Sequence, residues 1–345
     1  MTVLQILGSG VDGGAEAYFV RLTGALQRDG GDQTAAIRAH AGRQAGLERA
    51  GVPHRTFKFG GLLDFSTSRE IAAYARQHDV SVSVAWMNRA ARHSPKGPWA
   101  RLGRLGNYYS LKYYKDLDAL VGITKGICDY LVQGGWPAER VHYVPNFAEA
   151  AAVPPLPRST FDTPEGVPLL LSLGRLHQVK AHDTTMKALQ RLPEAWLWIA
   201  GSGPLEAELK ALAQELGVAG RVRFLGWRDD ISALFGAADV CVFPSREEAH
   251  GTVVVDAWAH GKPLVVSNSA GPSELVRPGE DALLFPIDDV DALTASIRAV
   301  IEDGGLSDRL IEAGRARIEA QFSRAAVTAA WRGLFSQYGR AACAA

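Results

Sequence analysis

Short, mainly apolar runs alternate with longer amphipathic segments along most of the chain. Residues 3–7 and 80–86 are two such runs, and each has the length of a strand. A helical spacing follows the first run, with Phe19, Leu22 and Leu26 on one face. This rhythm predicts an α/β fold, with parallel sheets covered by helices on both faces. The strand candidates are 3–7, 80–86, 119–124, 139–146, 168–174, 195–201, 221–226, 239–244 and 263–268.

The rhythm stops at residues 147–167, which contain four prolines and show no clear period. Such a segment is typical of a linker between domains. We therefore predict two doubly wound, Rossmann-like domains that face each other across a cleft, at 1–146 and 168–322. Residues 323–345 are expected to form a C-terminal helix that crosses back to the N-terminal domain.

Composition excludes several classes of protein. The formal net charge of zero gives no sign of a nucleic-acid partner. Cys128, Cys241 and Cys343 lack the spacing of a metal site or a disulfide framework, so reduced thiols are expected. The sequence shows neither a signal peptide nor an apolar stretch of membrane-spanning length. We expect a cytoplasmic protein whose membrane contact, on the inner face of the cytoplasmic membrane, is peripheral.

The ends of the predicted strands carry the candidate chemistry, because ligands of open parallel sheets bind at the carboxyl ends of the strands. After the first strand, "GSGVDGGAEAY" places Gly13 and Gly14 at the start of a helix. The loop is either a tight turn or a site where backbone and helix N-terminus meet an anion. Its spacing does not fit the dinucleotide-binding fingerprint.

Arg175 and Lys180 lie in "LGRLHQVKAHD", between a strand and a helix of the second half. Two cations at this position suit a diphosphate, and the alternative is a pair of solvated surface side chains. "AGSGPLEAELK" repeats the glycine turn with Gly203. In "LGWRDD", Asp229 or Asp230 is a candidate helix N-cap, and the backbone groups near Trp227 and Arg228 are candidate contacts to a nucleobase.

In "REEAHGTVVVDAWAHGKP" two acids, Glu248 and Asp256, lie on either side of Gly251. A helix is predicted to start at Gly251–Thr252, and the free N–H groups of its first turn favour an anion. One acid therefore precedes an anion-binding turn and the other lies just inside the helix. This arrangement favours two contacts to one ligand over a glycosidase-like carboxylate pair.

At these residues the sequence resembles the retaining glycosyltransferases of family 4, which have the GT-B fold. The resemblance covers nearly the whole chain. It rests on "GGAE", "VPNF", "GRLHQVKAHD", "AGSGPLE", "FLGWRDD", "GPSELV" and above all "PSREEAHGTVVVDAWAHGKPLV", which is similar to the E-x7-E motif of the family.

The resemblance implies a hexosyltransferase whose catalytic residues are Glu248, Arg175 and Lys180. The two cations would stabilise the leaving diphosphate, and Glu248 would contact the donor sugar. Asp256 stands where the family usually has Glu, so its contact to the ribose hydroxyls has a shorter reach. The remaining donor-binding residues implied are Gly13, Gly14, Gly203, Arg228, His250, Gly251 and Thr252.

The resemblance further implies that no metal and no cofactor is needed, with a UDP- or GDP-linked sugar as the co-substrate. In the family, retention of the anomeric configuration is explained by attack of the acceptor hydroxyl on the same face of the sugar that the diphosphate leaves. The segment "RLGRLGNYYSLKYYKDLDALVGIT" resembles bacterial enzymes that build lipopolysaccharide cores and related envelope glycans. A glycolipid or oligosaccharide acceptor follows, with Asn88, Arg89 and His93 as its candidate contacts.

No acid occurs between Asp79 and Asp116, and we call this stretch the basic window. Basic and aromatic side chains together suit an anionic lipid surface or a phosphorylated glycolipid. The alternative is that the aromatics belong to the core and the cations to a solvated face. Its cations are Arg89, Arg92, Lys96, Arg101, Arg104, Lys112 and Lys115, and its aromatics include Trp99, Tyr108, Tyr109, Tyr113 and Tyr114.

Three functions remain open from sequence. The first is a glycosyltransferase acting on an envelope saccharide or lipid. The second is a GT-B-fold epimerase of a sugar nucleotide, since the lysine context of a pyridoxal-dependent phosphorylase is not recognisable. The third is a non-catalytic protein that binds sugar nucleotides.

Overall fold

The computed structural model describes residues 1–11, 13–61, 64 and 66–343, and it consists of two compact units. The first unit comprises Met1–Asn146 together with the C-terminal residues from Arg324. The second unit comprises Phe147–Ser323. Cys128 and Cys241 are free thiols, and the side chain of Cys343 lies outside the described part.

Each unit contains one sheet in which all paired strands are parallel. The strands are β1 (Thr2–Leu7), β2 (Asp32–Arg38), β3 (His54–Phe57), β4 (Val80–Trp86), β5 (Ala100–Leu105), β6 (Ala119–Gly122), β7 (Val141–Tyr143), β8 (Leu169–Leu173), β9 (Trp196–Ala200), β10 (Val222–Gly226), β11 (Val240–Phe243), β12 (Leu264–Ser267) and β13 (Leu283–Phe285).

Helices connect nearly all of these strands. They are α1 (Gly14–Arg28), α2 (Ala41–Arg49), α3 (Ser66–Gln77), α4 (Met87–His93), α5 (Lys125–Gln133), α6 (His182–Gln190), α7 (Glu206–Glu215), α8 (Ile231–Ala237), α9 (Thr252–Ala259), α10 (Ala270–Leu275), α11 (Val290–Glu302), α12 (Gly304–Arg317) and α13 (Arg324–Cys343).

The strand order explains where ligands are expected. The first sheet runs β3-β2-β1-β4-β5-β6-β7, and the second runs β10-β9-β8-β11-β12-β13. In each sheet the order reverses beside its first strand, between β1 and β4 and between β8 and β11. Ligands of such sheets bind outside the carboxyl ends of the strands at this reversal. The predicted class, α/β with two Rossmann-like parallel sheets, is confirmed.

Buried aliphatic and aromatic side chains hold each sheet to its helices. In the first unit α13 packs on α1, β4 and β5, and it buries Trp331 and Phe335. The same helix is tied to β7 by a hydrogen bond of 2.8 Å between His142 Nε2 and Tyr338 Oη. The last helix of the chain is thus part of the first unit.

The predicted linker, residues 147–167, packs on the second unit. Arg158 begins a 3-10 turn, and its guanidinium lies 2.9 Å from both carboxylate oxygens of Asp239. Leu156 donates its backbone N–H to the carbonyl of Ala233 at 3.0 Å. These contacts hold the segment on the rest of the second unit, to which it belongs.

Four strands were not predicted from the sequence: β2, β3, β5 and β13. β5 lies inside the basic window, where we expected a ligand or lipid surface. Trp99 and Tyr114 of the window are buried, so the core alternative is correct for these two aromatics. Arg104 is buried as well, so the solvated face expected for the cations is wrong for this residue. Among the described helices none is long and apolar enough to cross a membrane.

Candidate functional site

The loops after β8 and β11 bring two of the predicted catalytic residues into direct contact. Lys180 ends the short turn before α6, and Glu248 lies in the loop before α9. Their side chains form an ion pair between Nζ and Oε2, and both are mostly buried. The Lys180 ammonium also lies 5.3 Å from the centre of the Phe243 ring. The structure therefore places the cation and the acid at the same strand reversal.

Burial acts to raise the pKa of Glu248, but the Lys180 ammonium and the backbone amides of His250 and Gly251 outweigh it. The pKa of this carboxyl consequently lies below its ordinary value. The His250 amide donates to Glu248 Oε1 at 3.4 Å. Glu248 is thus a carboxylate at neutral pH, suited to accepting hydrogen bonds from sugar hydroxyls or stabilising a positive charge.

The start of α9 lies beside this acid. Gly251 precedes the helix with φ of 84°, a left-handed conformation that favours glycine. Thr252 is the first helical residue, so its amide belongs to the turn whose N–H groups lack helical acceptors. His250 is buried next to this turn. These amides lie where the sequence predicts an anion-binding helix end, and the anion contact itself stays a prediction.

Arg175 lies just beyond β8, and its side chain is exposed. Within the described residues its guanidinium makes no ion pair and no hydrogen bond, so it differs from Lys180. A solvated guanidinium next to the strand reversal remains available for a phosphate.

Arg246 holds the two loops together. Its Nη2 donates to Asp183 Oδ2 at 2.8 Å, its Nε to Asp288 Oδ2 at 2.8 Å, and its Nη1 to the carbonyl of Gln178 at 2.7 Å. The Arg246 amide donates to the carbonyl of Val179, next to Lys180. Hydrogen bonds to Asp183 and then Asp288 raise the pKa of Arg246 above its ordinary value. Arg246 was not predicted from the sequence.

His182 stabilises the loop after β8 through hydrogen bonds of its buried ring. Its Nε2 lies 3.2 Å from the carbonyl of Gly174, and its Nδ1 lies 3.1 Å from Ser172 Oγ. A carbonyl only accepts, so Nε2 carries the proton and Nδ1 accepts from the serine. Burial lowers the pKa of His182 to about 4, which keeps the ring neutral at pH 7. This residue, too, was not predicted.

Gly203 has a clear packing role. A Cβ atom there would overlap the backbone of Leu176, because the loop after β9 crosses directly over the loop after β8. The Leu176 amide donates to the carbonyl of Ser202 at 3.0 Å. Its predicted role in donor binding stays a prediction, since the close approach by itself explains the glycine.

Arg228 is paired within its own loop. Its Nε donates to Asp230 Oδ1 at 2.8 Å, and its guanidinium lies 5.5 Å from the centre of the Phe161 ring. Asp230 is the N-cap residue of α8, but its side chain pairs with Arg228 and does not cap the helix. The adjacent Trp227 is 65% exposed, which leaves a large aromatic face at the end of β10.

Asp256 lies in α9, one turn after Thr252 and on the same face of the helix. Its side chain is partly exposed, and its carbonyl accepts from the ring of His260 at 2.7 Å. The predicted ribose contact stays a prediction. The position in the first turns of the helix agrees with a ligand group near the helix N-terminus.

In the first unit, Gly13 and Gly14 lie at the start of α1. Gly13 is the N-cap with extended backbone, and Gly14 has open space where a side chain would be. Glu16 Oε2 lies 2.6 Å from the point that a Cβ of Gly13 would occupy. The buried Arg43 donates to the carbonyls of Ser9 and Val11, at 2.7 and 3.0 Å, and so fixes the preceding loop.

The three candidate acceptor residues lie on α4, at the end of β4. Asn88 is partly exposed, and within the described part its buried Oδ1 has no hydrogen-bond partner. Arg89 is exposed and packs over Gly8, with its Cγ 2.9 Å from the position of a Cβ there. His93 is buried, with its ring 5.7 Å from that of Phe59, and burial lowers its pKa. Arg89 thus borders the glycine loop, whereas His93 lies in the core.

Elsewhere the basic window is divided between core and surface. Lys96 is exposed and lies 3.5 Å from Asp116, and Tyr108 is 47% exposed. Arg101 donates to the carbonyl of Asp116. The predicted membrane contact stays a prediction. Among the described residues no group of His, Cys, Asp and Glu side chains has the arrangement of a metal site.

The chain is similar to known proteins along nearly its whole length. The sequence profile of the family Glycosyl transferases group 1 matches residues 158–317. The chain is 36% identical over 326 residues to the lipopolysaccharide core biosynthesis glycosyltransferase LpsE of Rhizobium meliloti (strain 1021), which is 93% of this chain and 95% of that protein. It is 32% identical over 331 residues to LpsD of the same organism, which is also described as a lipopolysaccharide core biosynthesis glycosyltransferase. The match covers 95% of this chain and 96% of LpsD.

A solved structure shows the same fold. Anabaena Alr3699/HepE in complex with UDP-glucose superposes with a TM-score of 0.85 at 21% identity, over 98% of this chain and 100% of that one. The fold of this chain is therefore that of the GT-B enzymes, as the resemblance implies.

Proposed function

The chain belongs to the group 1 glycosyltransferases and is a glycosyltransferase enzyme, and on that premise we propose that it transfers a sugar from a nucleoside diphosphate sugar to a lipopolysaccharide core saccharide. Two relatives of nearly full length carry the description of lipopolysaccharide core biosynthesis, which supports this acceptor class. The observation that carries the proposal is the Lys180–Glu248 ion pair beside the N-terminus of α9.

The second unit supplies the donor site. The exposed Arg175 and the amides at the start of α9 bind the diphosphate, and Lys180 neutralises the leaving phosphate. Glu248 accepts from the sugar hydroxyls, and Asp256 accepts from the ribose. UDP-glucose is the first donor to test, since the related Anabaena fold is described in complex with it.

The reaction we propose retains the anomeric configuration. The bond between the anomeric carbon and the β-phosphate oxygen breaks while an acceptor hydroxyl attacks on the same face. The leaving phosphate oxygen takes the proton of that hydroxyl. Cations and helix amides stabilise the growing negative charge, an electrostatic effect of the kind that makes up much of enzymatic catalysis. This charge stabilisation takes the part that a divalent metal would otherwise have.

The proposal is tested with purified protein, a panel of UDP- and GDP-sugars and lipopolysaccharide core oligosaccharide. We expect transfer from one donor in the presence of EDTA, with a product whose anomeric proton coupling matches that of the donor. An inverted product would exclude same-face attack. Release of nucleotide without sugar transfer, or interconversion of the donor sugar, would favour hydrolysis or the epimerase alternative.

Glu248→Gln separates catalysis from binding. The amide cannot stabilise positive charge, so we expect kcat to fall by about 100-fold or more, a loss typical for removal of one charged group at a reacting centre. Donor binding, measured by isothermal titration, should change much less. The matched control is Glu247→Gln at the exposed neighbouring acid, where kcat should stay within about twofold. Equal effects of the two variants would contradict the assignment.

A further inference from the structure

Arg104 is a buried cation of the first unit. It lies at the end of β5 and is 2% exposed. In the described part of the chain no carboxylate forms an ion pair with it. Glu16, the acid at the start of α1, turns its carboxylate over Gly13. Buried arginines are ordinarily paired, because an isolated charge in the interior is costly.

The contacts of the Arg104 guanidinium use few of its N–H donors. Nη2 donates to Asn146 Oδ1 at 2.6 Å, and this is its one hydrogen bond to the described residues. The group lies 4.2 Å from the centre of the Trp86 ring and 5.2 Å from that of Tyr18. A guanidinium has five N–H donors, and cation–π contacts use none of them.

The surroundings fix this cation in place. Trp86 is paired with Arg104 across β4 and β5, and its indole N–H donates to Gln5 Oε1 at 2.9 Å. Burial lowers the pKa of Arg104 to about 10, so the side chain remains protonated at neutral pH. The charge is therefore held rigidly at the carboxyl end of the first sheet, where ligands of such sheets bind.

Gly106 lies next to the guanidinium and adds no side chain there. A Cβ at this residue would lie 3.2 Å from Arg104 Nη1. Gly106 is itself partly exposed. An oxyanion can approach Nη1 past a glycine, and a planar guanidinium binds phosphate or carboxylate through parallel hydrogen bonds.

We propose that Arg104 binds a phosphate or carboxylate group of the acceptor saccharide and so makes an anionic acceptor preferred over a neutral one. This inference rests on the proposed function and specifies the acceptor that the first unit takes. Arg104 binds and orients the acceptor, and the transferred atoms belong to the donor site of the second unit.

The first experiment compares three acceptors: intact core oligosaccharide, the same material after dephosphorylation with hydrofluoric acid, and the same material after carbodiimide–borohydride reduction of its carboxylates. We expect one of the two treatments to lower kcat/KM of the wild type by tenfold or more. The treatment that does so identifies phosphate or carboxylate as the group. If neither treatment changes kcat/KM, the proposal is wrong.

Asn146→Asp is the most informative variant, because it puts a carboxylate where the amide oxygen already touches Arg104. It should keep or raise Tm, since it pairs the buried charge, and it should remove the preference for the anionic acceptor. Arg104→Lys should lower that preference as well. The matched control, Arg69→Met on the exposed face of α3, should keep the wild-type preference. If Arg104 only braces the fold, Asn146→Asp will leave the preference unchanged.

A binding measurement separates this inference from the proposed function. With the donor site filled by saturating nucleoside diphosphate, inorganic phosphate or acetate should raise Tm of the wild type and of Arg69→Met, but not of Asn146→Asp. If no saccharide accepts a sugar but this difference is found, the proposed acceptor class fails while the anion site stands. Equal shifts in all three proteins would overturn the anion site.

Discussion

Lys180, just before α6, and His182, the first residue of that helix, differ in charge at neutral pH. Lys180 is charged and paired with Glu248, whereas His182, two residues later, is buried and neutral. The ion pair keeps Glu248 ionised although burial opposes it. The neutral imidazole links Ser172 to the carbonyl of Gly174 and so fixes the backbone on which Lys180 stands.

The neutral state of His182 makes stability depend on pH. Above pH about 6.5 the imidazole is neutral in both the folded and the unfolded chain. As the pH falls from 6.5 towards the folded pKa of about 4, the unfolded chain takes up a proton that the folded chain does not. We expect the free energy of unfolding to fall by up to ~3 kcal/mol over this window through His182 alone.

The measurement is urea unfolding of the wild type and His182→Asn between pH 7.5 and 4. The variant should be less stable at pH 7.5 but lose less stability on acidification. Ser172→Ala is the control, because it removes one hydrogen bond and keeps the imidazole. Parallel pH profiles for the wild type and His182→Asn would show that His182 does not cause the slope.

At the scale of elements, the site depends on how loops are joined. Strands β8 and β11 are neighbours in the sheet, but each of the loops that follow them needs a fixed conformation. Arg246 supplies it by joining the loop of Glu248 to the loop of Lys180 and to Asp288. Asp288 itself has φ of 62°, and it also accepts from Thr184 at 2.9 Å.

Arg246→Met should loosen both loops. We expect a loss of stability of about 2 kcal/mol, because these ion pairs are partly buried and several hydrogen bonds are lost with them, and a larger fall in kcat than Glu247→Gln gives. Arg191→Met is the matched control, because its ion pair with Asp291 is largely exposed and should contribute below about 1 kcal/mol. Urea unfolding curves and steady-state kinetics of both variants test this prediction. Equal losses of stability and of kcat in the two variants would contradict the role of Arg246.

Periodicity and composition predict the elements whose burial is continuous. The run "LLLSL" of β8 is buried throughout and apolar except for Ser172, the run "VCVF" of β11 is buried and apolar, and both strands were found where expected. β5, "ARLGRL", was missed because its two arginines were interpreted as surface cations. β2, "DQTAAIR", lacks a β-branched run, and its strand state depends on pairing with β1 and β3.

The site residues that could be predicted from the sequence are those that lie directly after a strand. Lys180 and Glu248 could be placed together because β8 and β11 are central strands with parallel direction. Arg246 could not be assigned, since its partners come from separate loops. Asn146, too, meets Arg104 from a different strand end, and no local pattern marks that contact.

At the scale of the whole molecule, the first unit is built from two distant parts of the chain. The residues up to Asn146 form its sheet, and α13 returns to cover β4 and β5. Trp331 and Phe335 lie with their ring centres 5.6 Å apart in this covering layer. Thr328 donates to Asp29 Oδ2 at 2.7 Å and so adds a polar tie to the end of α1.

Trp331→Ala should destabilise the first unit selectively. Truncating a buried tryptophan costs about 3–5 kcal/mol. Hydrogen exchange should therefore become faster for amides of β4 and β5, while amides of β8 and β9 keep their protection. Gln337→Ala, at an exposed position of the same helix, should leave both groups unchanged. Faster exchange in both units would show that the effect is not confined to the first.

The late position of α13 in the chain has a consequence for synthesis on the ribosome. The sheet of the first unit is complete once residue 146 has been made, but its covering helix begins only at residue 324. At typical elongation rates of about 5–20 residues per second, the interval is about 10–35 s. During that time an apolar sheet face is uncovered in the nascent chain, and a chaperone that shields it should raise the yield of native enzyme.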